Sequence, residues 1–294
     1  SNLILLIILY IVIFFSHYYS EWIGFNDKQY LDESFHNTNW MQSIPDETSV
    51  SAISIPGTHQ SLALYGGPLN KCQVWDLTQQ LHVGIRYFDI YIWNSFWKIW
   101  EKKTIDEVLK SIFEFLEKYS SETVLLKVTL HGLQKEKVAN LLKEKIKNVE
   151  NKIWRKLSVP KLQEVRGKIV FLQSKTFHVG TENHKSLFFE YNKLENVEEK
   201  IQQIKEHCCD HHIVMTGYRA AAHERFDTLA KNINKQIYKF VQQHKERASD
   251  EGCLGVLSMC FPSAELIHNI IQLKPCTCGH GEGPGPGPEP DSEP

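Results

Sequence analysis

Between residues 52 and 273, short apolar runs rich in β-branched residues alternate with amphipathic stretches of helical period, and few architectures accept that alternation. Strand signals fall at 52–55 (closing on Pro56-Gly57), 84–93, 123–130, 168–172, 213–216 and 254–259. Helix signals fall at 104–118, 134–152, 227–247 and 264–273. In the first of these, Ile105, Val108, Leu109, Ile112 and Leu116 share one face, and Thr104 with Glu107 forms a capping box. The pattern predicts an α/β fold with a parallel sheet and crossover helices. The number of repeats favours a single TIM-type β/α barrel, distorted or incomplete, over a two-half open sheet. No GxGxxG or P-loop spacing occurs, which argues against the nucleotide-binding α/β folds.

The chain has 294 residues, 42% of them apolar and 23% charged, enough to bury one sizeable core. Net charge is -2, with Lys and Arg spread along the chain, so no nucleic-acid partner is expected. Residues 3–15 are an unbroken apolar run, shorter than the ~20 residues that span a bilayer. The run suits the apolar part of a secretory signal, although the chain begins at Ser1 and no basic segment precedes it. A buried first helix and an uncleaved anchor are the alternatives. The expected organisation is a signal-like segment over 1–20, one catalytic-type domain over 21–274, and a disordered Gly-, Pro- and Glu-rich tail over 275–294. Trp40 is the expected anchor of the polar lead-in over 16–48. Of the seven cysteines, one or two disulfides are expected, with at least one thiol left over and the pairing open.

Two segments carry chemistry. In Ile53-Ser54-Ile55-Pro56-Gly57-Thr58-His59-Gln60-Ser61, a strand runs into a tight turn and a histidine follows. Strand C-termini face the active site of a β/α barrel, so His59 stands where a general base would. A lone histidine after a turn is more often structural. In Gly84-Ile85-Arg86-Tyr87-Phe88-Asp89-Ile90, Arg86 and Asp89 interrupt an apolar strand. Buried charges are costly unless paired, so the two are either catalytic or an ion pair in the barrel mouth.

Together these segments resemble the X domain of the bacterial-type phosphatidylinositol-specific phospholipase C family, the secreted vertebrate members above all. Further matches follow in order: 104–130 resembles the family's helix and Ser-Glu-Thr strand, Arg166-Gly167-Lys168-Ile169-Val170 its mid-chain strand, and 255–262 its last strand. The resemblance spans about 25–274. It implies a distorted β/α barrel, no cofactor and no metal. It also implies a secreted monomer acting on phosphatidylinositol or a related inositol lipid at a membrane surface. The implied reaction is attack of the inositol 2-hydroxyl on the adjacent phosphorus, which releases diacylglycerol and a cyclic inositol phosphate. His59 would be the base, with Arg86 and Asp89 as further catalytic candidates, while a second histidine would protonate the leaving oxygen and an arginine would hold the phosphoryl oxygens.

The chain departs from that pattern at several points. Gln60 stands where the family has Asp, and Tyr91 where it has the phosphate-binding Arg, so both are candidates for substrate binding without charge. Residues 93–103 run on without the second His-Gly segment. Cys260 stands where an acidic or amide residue orients the first histidine, and Ser174 where a basic residue is expected. Three readings follow: a phosphodiesterase, with activity impaired by these losses; a pseudoenzyme that binds inositol lipid or a protein partner; or a defective gene product.

Other clusters have plainer readings. His207-Cys208-Cys209-Asp210-His211-His212 lacks zinc-site spacing, and Cys276-Thr277-Cys278-Gly279-His280 lies at the edge of the expected disordered tail. The first reads as a solvated loop before the 213–216 strand. The aromatics Trp93, Phe96, Trp97 and Trp100 read as core rather than as a membrane contact.

Overall fold

The structure is a computed structural model. It describes residues 23–67, 69–93, 104–190, 193–194, 197–219, 225–247 and 253–278, without the side chains of 93, 187–190, 193, 194, 197, 198, 217–219 and 247. The apolar run at 3–15, the tail from 279, and segment 94–103 with its aromatics and missing His-Gly stretch lie outside these residues.

After 3-10 turns at Glu33–Phe35, Trp40–Ser43 and Val50–Ala52 come β1 (Ile55–Thr58), α1 (Leu77–Val83), β2 (Tyr87–Trp93), α2 (Ile105–Lys118) and β3 (Val124–His131). Next are α3 (Lys135–Lys147), β4 (Ile153–Trp154), α4 (Leu162–Val165), β5 (Ile169–Leu172), β6 (Asn183–Glu190) and β7 (Lys193–Leu194). The chain closes with α5 (Val197–Cys209), β8 (Ile213–Arg219), α6 (Phe226–Arg247), β9 (Val256–Met259) and α7 (Ala264–Ile271). One sheet runs β4-β5-β3-β2-β1-β9-β8-β6-β7, parallel throughout except for the final β6–β7 pair. It curls into a half-barrel. Among the described residues β4 and β7 do not pair with each other, so the barrel is an incomplete one.

The strand expected at 52–55 begins later. Val50–Ala52 is a 3-10 turn, and β1 runs through Pro56 and Gly57. Pro56 has no donor, but its carbonyl accepts from the Arg86 amide at 3.0 Å. Residues 84–86 lie outside β2 because Gly84, in the left-handed region, closes α1. α1 has only seven residues, too few for periodicity to reveal it, but Asp76 and Gln79 cap it reciprocally. α2 carries the expected Thr104–Glu107 capping box and buries the expected face.

Alternation along the strands sorts the core. Phe88, Ile90 and Ile92 of β2 and Leu126, Val128 and Leu130 of β3 pack outward with α1 and α2. Tyr87 and Leu125 pack with Ile55, Val170, Met215 and Val256 in a second cluster, beneath which Met41 and Trp40 gather. Trp40 is anchored as expected, its indole N–H donating to Gly84 O at 3.0 Å.

β1 and β2 approach closely because residue 57 is glycine. A Cβ there would lie 2.6 Å from Cδ1 and 2.8 Å from Cβ of Tyr87, which is fully buried. Gly57→Ala is therefore expected to cost about 1–3 kcal/mol by overpacking, seen as a lower urea midpoint. An unchanged midpoint would mean that the two strands can separate freely.

Three disulfides exceed the one or two expected: Cys72–Cys260, Cys209–Cys278 and Cys253–Cys276. Cys208 is the remaining thiol, and burial pushes it up to about 12. Of the stretch read as a solvated loop at 207–212, residues 207–209 are instead the end of α5, and 210–212 form the expected exposed turn before β8. There Cys208 is buried, Cys209 is cross-linked, and His207 and His212 lie against His184, with ring centroids 5.2 and 4.6 Å away. The signal missed was the helical period of Ile201, Ile204 and Cys208, which pack together. Among the described residues, no group of three or more His, Cys, Asp or Glu is arranged to hold a metal ion. No helix among them is long and apolar enough to cross a membrane.

Candidate active site

β1 delivers the chain to a turn at the C-terminal end of the sheet, and a buried polar network fixes that turn. Thr58 Oγ1 donates to Gln80 Oε1 at 2.8 Å, and Ser61 Oγ donates to Thr58 O at 3.0 Å. Ser61 Oγ accepts from the Asp89 amide at 2.8 Å, while the Ser61 amide donates to Asp89 O at 2.9 Å. Gln60 takes a left-handed φ of 42° within the turn. The loop 59–61 is thereby locked against β2.

His59 sits in this loop. Its Nδ1 lies 2.9 Å from Asp89 Oδ2, with side chains 31% and 9% exposed. In the tautomer that carries its proton on Nδ1, the imidazole donates a hydrogen bond to the carboxylate, and Nε2 keeps its lone pair. Gln73 Nε2 donates to His59 O and Met259 O, and the His59 amide donates to Met259 O, so the backbone is clamped as well. Cys260 does not orient His59, because it is cross-linked to Cys72. The orienting group is Asp89, from β2.

Arg86 lies elsewhere, and it pairs neither with Asp89 nor with the site. Residues three apart on a strand point to opposite faces. Asp89 faces inward; Arg86 faces outward and is fully buried. Its guanidinium binds Glu122 (Nε–Oε2 3.0 Å, Nη2–Oε2 2.9 Å) and donates to four carbonyls, those of Leu81, Ile85, Asn37 and Thr38. It also lies over the Phe115 ring, 4.7 Å from its centroid. Burial pulls its pKa down to about 10, against the pull of Glu122. Its place is structural.

In front of His59 opens a cavity of 410 Å³. β2 contributes Tyr87, Asp89 and Tyr91, β3 contributes Lys127 and Thr129, and β9 contributes Ser258. Lys185 of β6, Ser174 and Lys175 after β5, Met215 and Thr216 of β8, and Phe226 complete the wall. Tyr91 stands edge-on to His59 at 5.9 Å and stacks on His131 at 5.3 Å. Burial, and then the Asp89 carboxylate, push its phenol up, so it stays neutral and can donate one hydrogen bond. Burial pulls Lys127 down, and Lys185 and Lys175 add to that pull while Asp89 opposes it. Gln60, expected to bind substrate, is not among the lining residues. Ser174 is buried, its Oγ accepting from the amides of Thr176 and Phe177, and a basic residue, Lys175, lines the cavity one position on.

Sequence reasoning missed the lysines. Lys127 was legible in principle: a charge within the run Val124–His131, two residues from Leu125, shares the inward face. Lys175 and Lys185 sit in polar stretches that carry no comparable signal. Among the described lining residues, His59 is the only histidine.

Residues 47–175 match the family described as phosphatidylinositol-specific phospholipase C, X domain. The chain is similar to the 1-phosphatidylinositol phosphodiesterase of Listeria monocytogenes, 26% identical over 287 residues, covering 82% of this chain and 86% of that protein. Among solved structures it is similar to the phosphatidylinositol-specific phospholipase C from Listeria monocytogenes, with a TM-score of 0.66, 25% identity, and coverage of 80% of this chain and 98% of that one. A variant of the Staphylococcus aureus enzyme shares the fold at a TM-score of 0.60 and 17% identity, covering 82% of this chain and 99% of that one.

Proposed function

The chain belongs to the bacterial-type phosphatidylinositol-specific phospholipase C X-domain family, and from that membership we infer that its cavity acts on the phosphodiester of an inositol lipid. The observation that carries this reading is the His59–Asp89 pair, 2.9 Å apart, opening on a lysine-lined cavity at the C-terminal end of the sheet. His59 Nε2 takes the proton of the inositol 2-hydroxyl as that oxygen bonds to phosphorus. The bond from phosphorus to the glycerol oxygen breaks, solvent protonates that oxygen so that diacylglycerol leaves, and the His59 imidazolium returns its proton to solvent. Lys127 supplies the positive charge for the phosphoryl oxygens that Tyr91 lacks. No second histidine lines the cavity among the described residues, so departure of the alcohol is the slow step. Turnover is expected to be ~10²–10⁴-fold below that of a site with both an acid and a base.

Three disulfides suit an oxidising compartment, which supports secretion, with the chain working as a monomer. Tyr65 and Leu69 after β1 and Leu133 after β3 are exposed at the same end of the sheet as the cavity mouth, which suits approach to a lipid surface. A second reading, a non-catalytic inositol-lipid binder, draws support from the neutral Tyr91 at the position of the family's phosphate-binding arginine. The deciding experiment is incubation with mixed micelles of phosphatidylinositol and detection of cyclic inositol phosphate. Slow, enzyme-dependent product supports the first reading. Micelle binding by a folded chain with no product at any enzyme concentration assigns the second.

A further inference from the structure

Three histidines from three elements meet near the N-terminal ends of β6 and β8. His184 lies in β6, His207 in the last turn of α5, and His212 immediately before β8. The next residue of β6, Lys185, lines the cavity, so His184 is on the opposite face of the sheet. The ring centroids are 5.2 Å apart for His184 and His207, 4.6 Å for His184 and His212, and 5.9 Å for His207 and His212. The phosphodiester chemistry uses none of the three.

Neutral imidazoles pack well at these distances, and imidazolium ions do not. A second proton in the cluster sets two like charges about 5 Å apart. His212 adds a further cost, because its Nδ1 is buried without a hydrogen-bond partner. Both ring nitrogens of an imidazolium carry hydrogen, so protonation leaves a buried donor unpaired. Burial pulls the pKa of His184 down, and His212 and His207 add to that pull, while Glu182 opposes it. On α5 the neighbouring charged groups are Lys205 and Glu206, the carboxylate of Glu206 accepting from Gln202 Nε2 at 3.1 Å. Asp210 and His211 stand in the turn, with His211 Nδ1 3.3 Å from Ser49 Oγ. The turn Val50–Ala52, which packs against α5, and the first residues of β8, Ile213 and Val214, bring no charge.

The cluster stands over a thiol. Cys208 is the free cysteine, fully buried in a core with Ile204, Val214 and Leu254, and its neighbour Cys209 is cross-linked to Cys278. Ser51 Oγ donates to Cys208 O at 2.8 Å, and the His212 amide donates to His207 O at 2.8 Å. Between them His211 takes a left-handed φ of 58°, which a residue other than glycine keeps only where its surroundings hold it.

We propose that His184, His207 and His212 form an acid-sensitive latch, which holds the end of α5 over Cys208 while the rings are neutral and releases it in mildly acidic surroundings. The closed latch favours neutral His184, so below the ordinary histidine value of about 6.5 the opened form binds more protons than the closed one. Closure is therefore complete above about pH 6.5 and is lost as pH falls through the lowered value. Opening reaches the cavity wall, since Lys185 follows His184 in β6 and Met215 and Thr216 follow Val214 in β8. The latch is independent of the reaction that the cavity performs.

The test reads Cys208 in the folded full chain. Its rate of modification by 4,4′-dithiodipyridine, a reagent active in acid as well as at neutral pH, is divided by that of glutathione at the same pH. The ratio is expected to rise about tenfold or more from about pH 7.5 to about pH 5, the linkage of one proton over roughly one pH unit. Amide hydrogen exchange on the same samples, corrected for intrinsic rates, should show protection lost over 207–214 and kept in β1, β2 and β3. His184→Gln combined with His207→Gln, both at exposed positions, leaves a single ring and should hold the rise to about threefold or less. If that variant does not fold, exchange in the parent decides alone. No rise in the parent overturns the proposal. So does a rise that the double variant keeps, which puts the trigger elsewhere, and so does protection lost across the whole sheet, which is acid unfolding. A double variant labelled rapidly at both pH values also overturns it, because the rings would then hold α5 by packing and not by charge.

Discussion

Glu122→Ala is expected to destabilise the fold by about 3–5 kcal/mol, the cost of leaving a buried guanidinium without its carboxylate. For a domain of this size that lowers Tm by roughly 6–20 °C. Glu122 and Arg86 both have side chains 0% exposed. Glu122 also accepts from the Met41 amide at 3.1 Å and from Ser121 Oγ at 2.9 Å, so it ties the Trp40–Ser43 turn to β2 and β3. Burial raises the Glu122 pKa and the guanidinium only partly opposes it, while burial lowers that of Arg86. Both shifts favour the neutral forms, so the pair is not a large net gain over apolar residues of the same shape. Its weight lies in the penalty for breaking it from one side. Arg86→Met in the Glu122→Ala background should therefore cost less than the sum of the single changes, with a coupling of about 0.5–3 kcal/mol in urea melts. A loss below about 1 kcal/mol for Glu122→Ala would mean that water reaches Arg86, and the structural role assigned to it would fall.

Arg86 also shows where sequence reading stops. The segment Gly84–Ile90 pointed correctly to a strand and to buried charge, but a one-dimensional spacing of three says nothing of partners until the strand period is applied. With period two, Arg86 and Asp89 must part, and their partners, Glu122 and His59, lie 36 and 30 residues away in the chain. The fold class was legible because the alternation of strands and helices is a local signal, repeated many times. α1 and β6 were not, since the first is too short for periodicity and the second begins Asn183-His184-Lys185-Ser186, polar where it lines the cavity near the edge of the sheet. His59 was legible through its turn. The residue that orients it was not, because the late-chain position expected to do so is Cys260, which the fold uses for a disulfide.

His59→Ala is expected to lower kcat on phosphatidylinositol by ~10²–10⁴-fold, as for loss of a general base. Asp89→Asn should lower kcat by less, because an amide oxygen still accepts the Nδ1 proton but brings no charge to the imidazolium that forms in the transition state. Asp89 is a positioning residue in this scheme, and its effect should run through His59 alone. The double variant then turns over no more slowly than His59→Ala, since two residues that act as one unit are not additive. A strictly structural Asp89 gives the opposite pattern, in which its loss multiplies that of His59 and the melting curve shifts as well. The Thr58–Ser61–Gln80 network holds the turn through backbone and hydroxyl contacts that neither substitution touches, so folding should survive both changes. A His59→Ala variant that keeps the parent rate would take proton transfer away from His59. Lys127, which lines the same cavity and whose neutral amine burial favours, would then be the next group to replace.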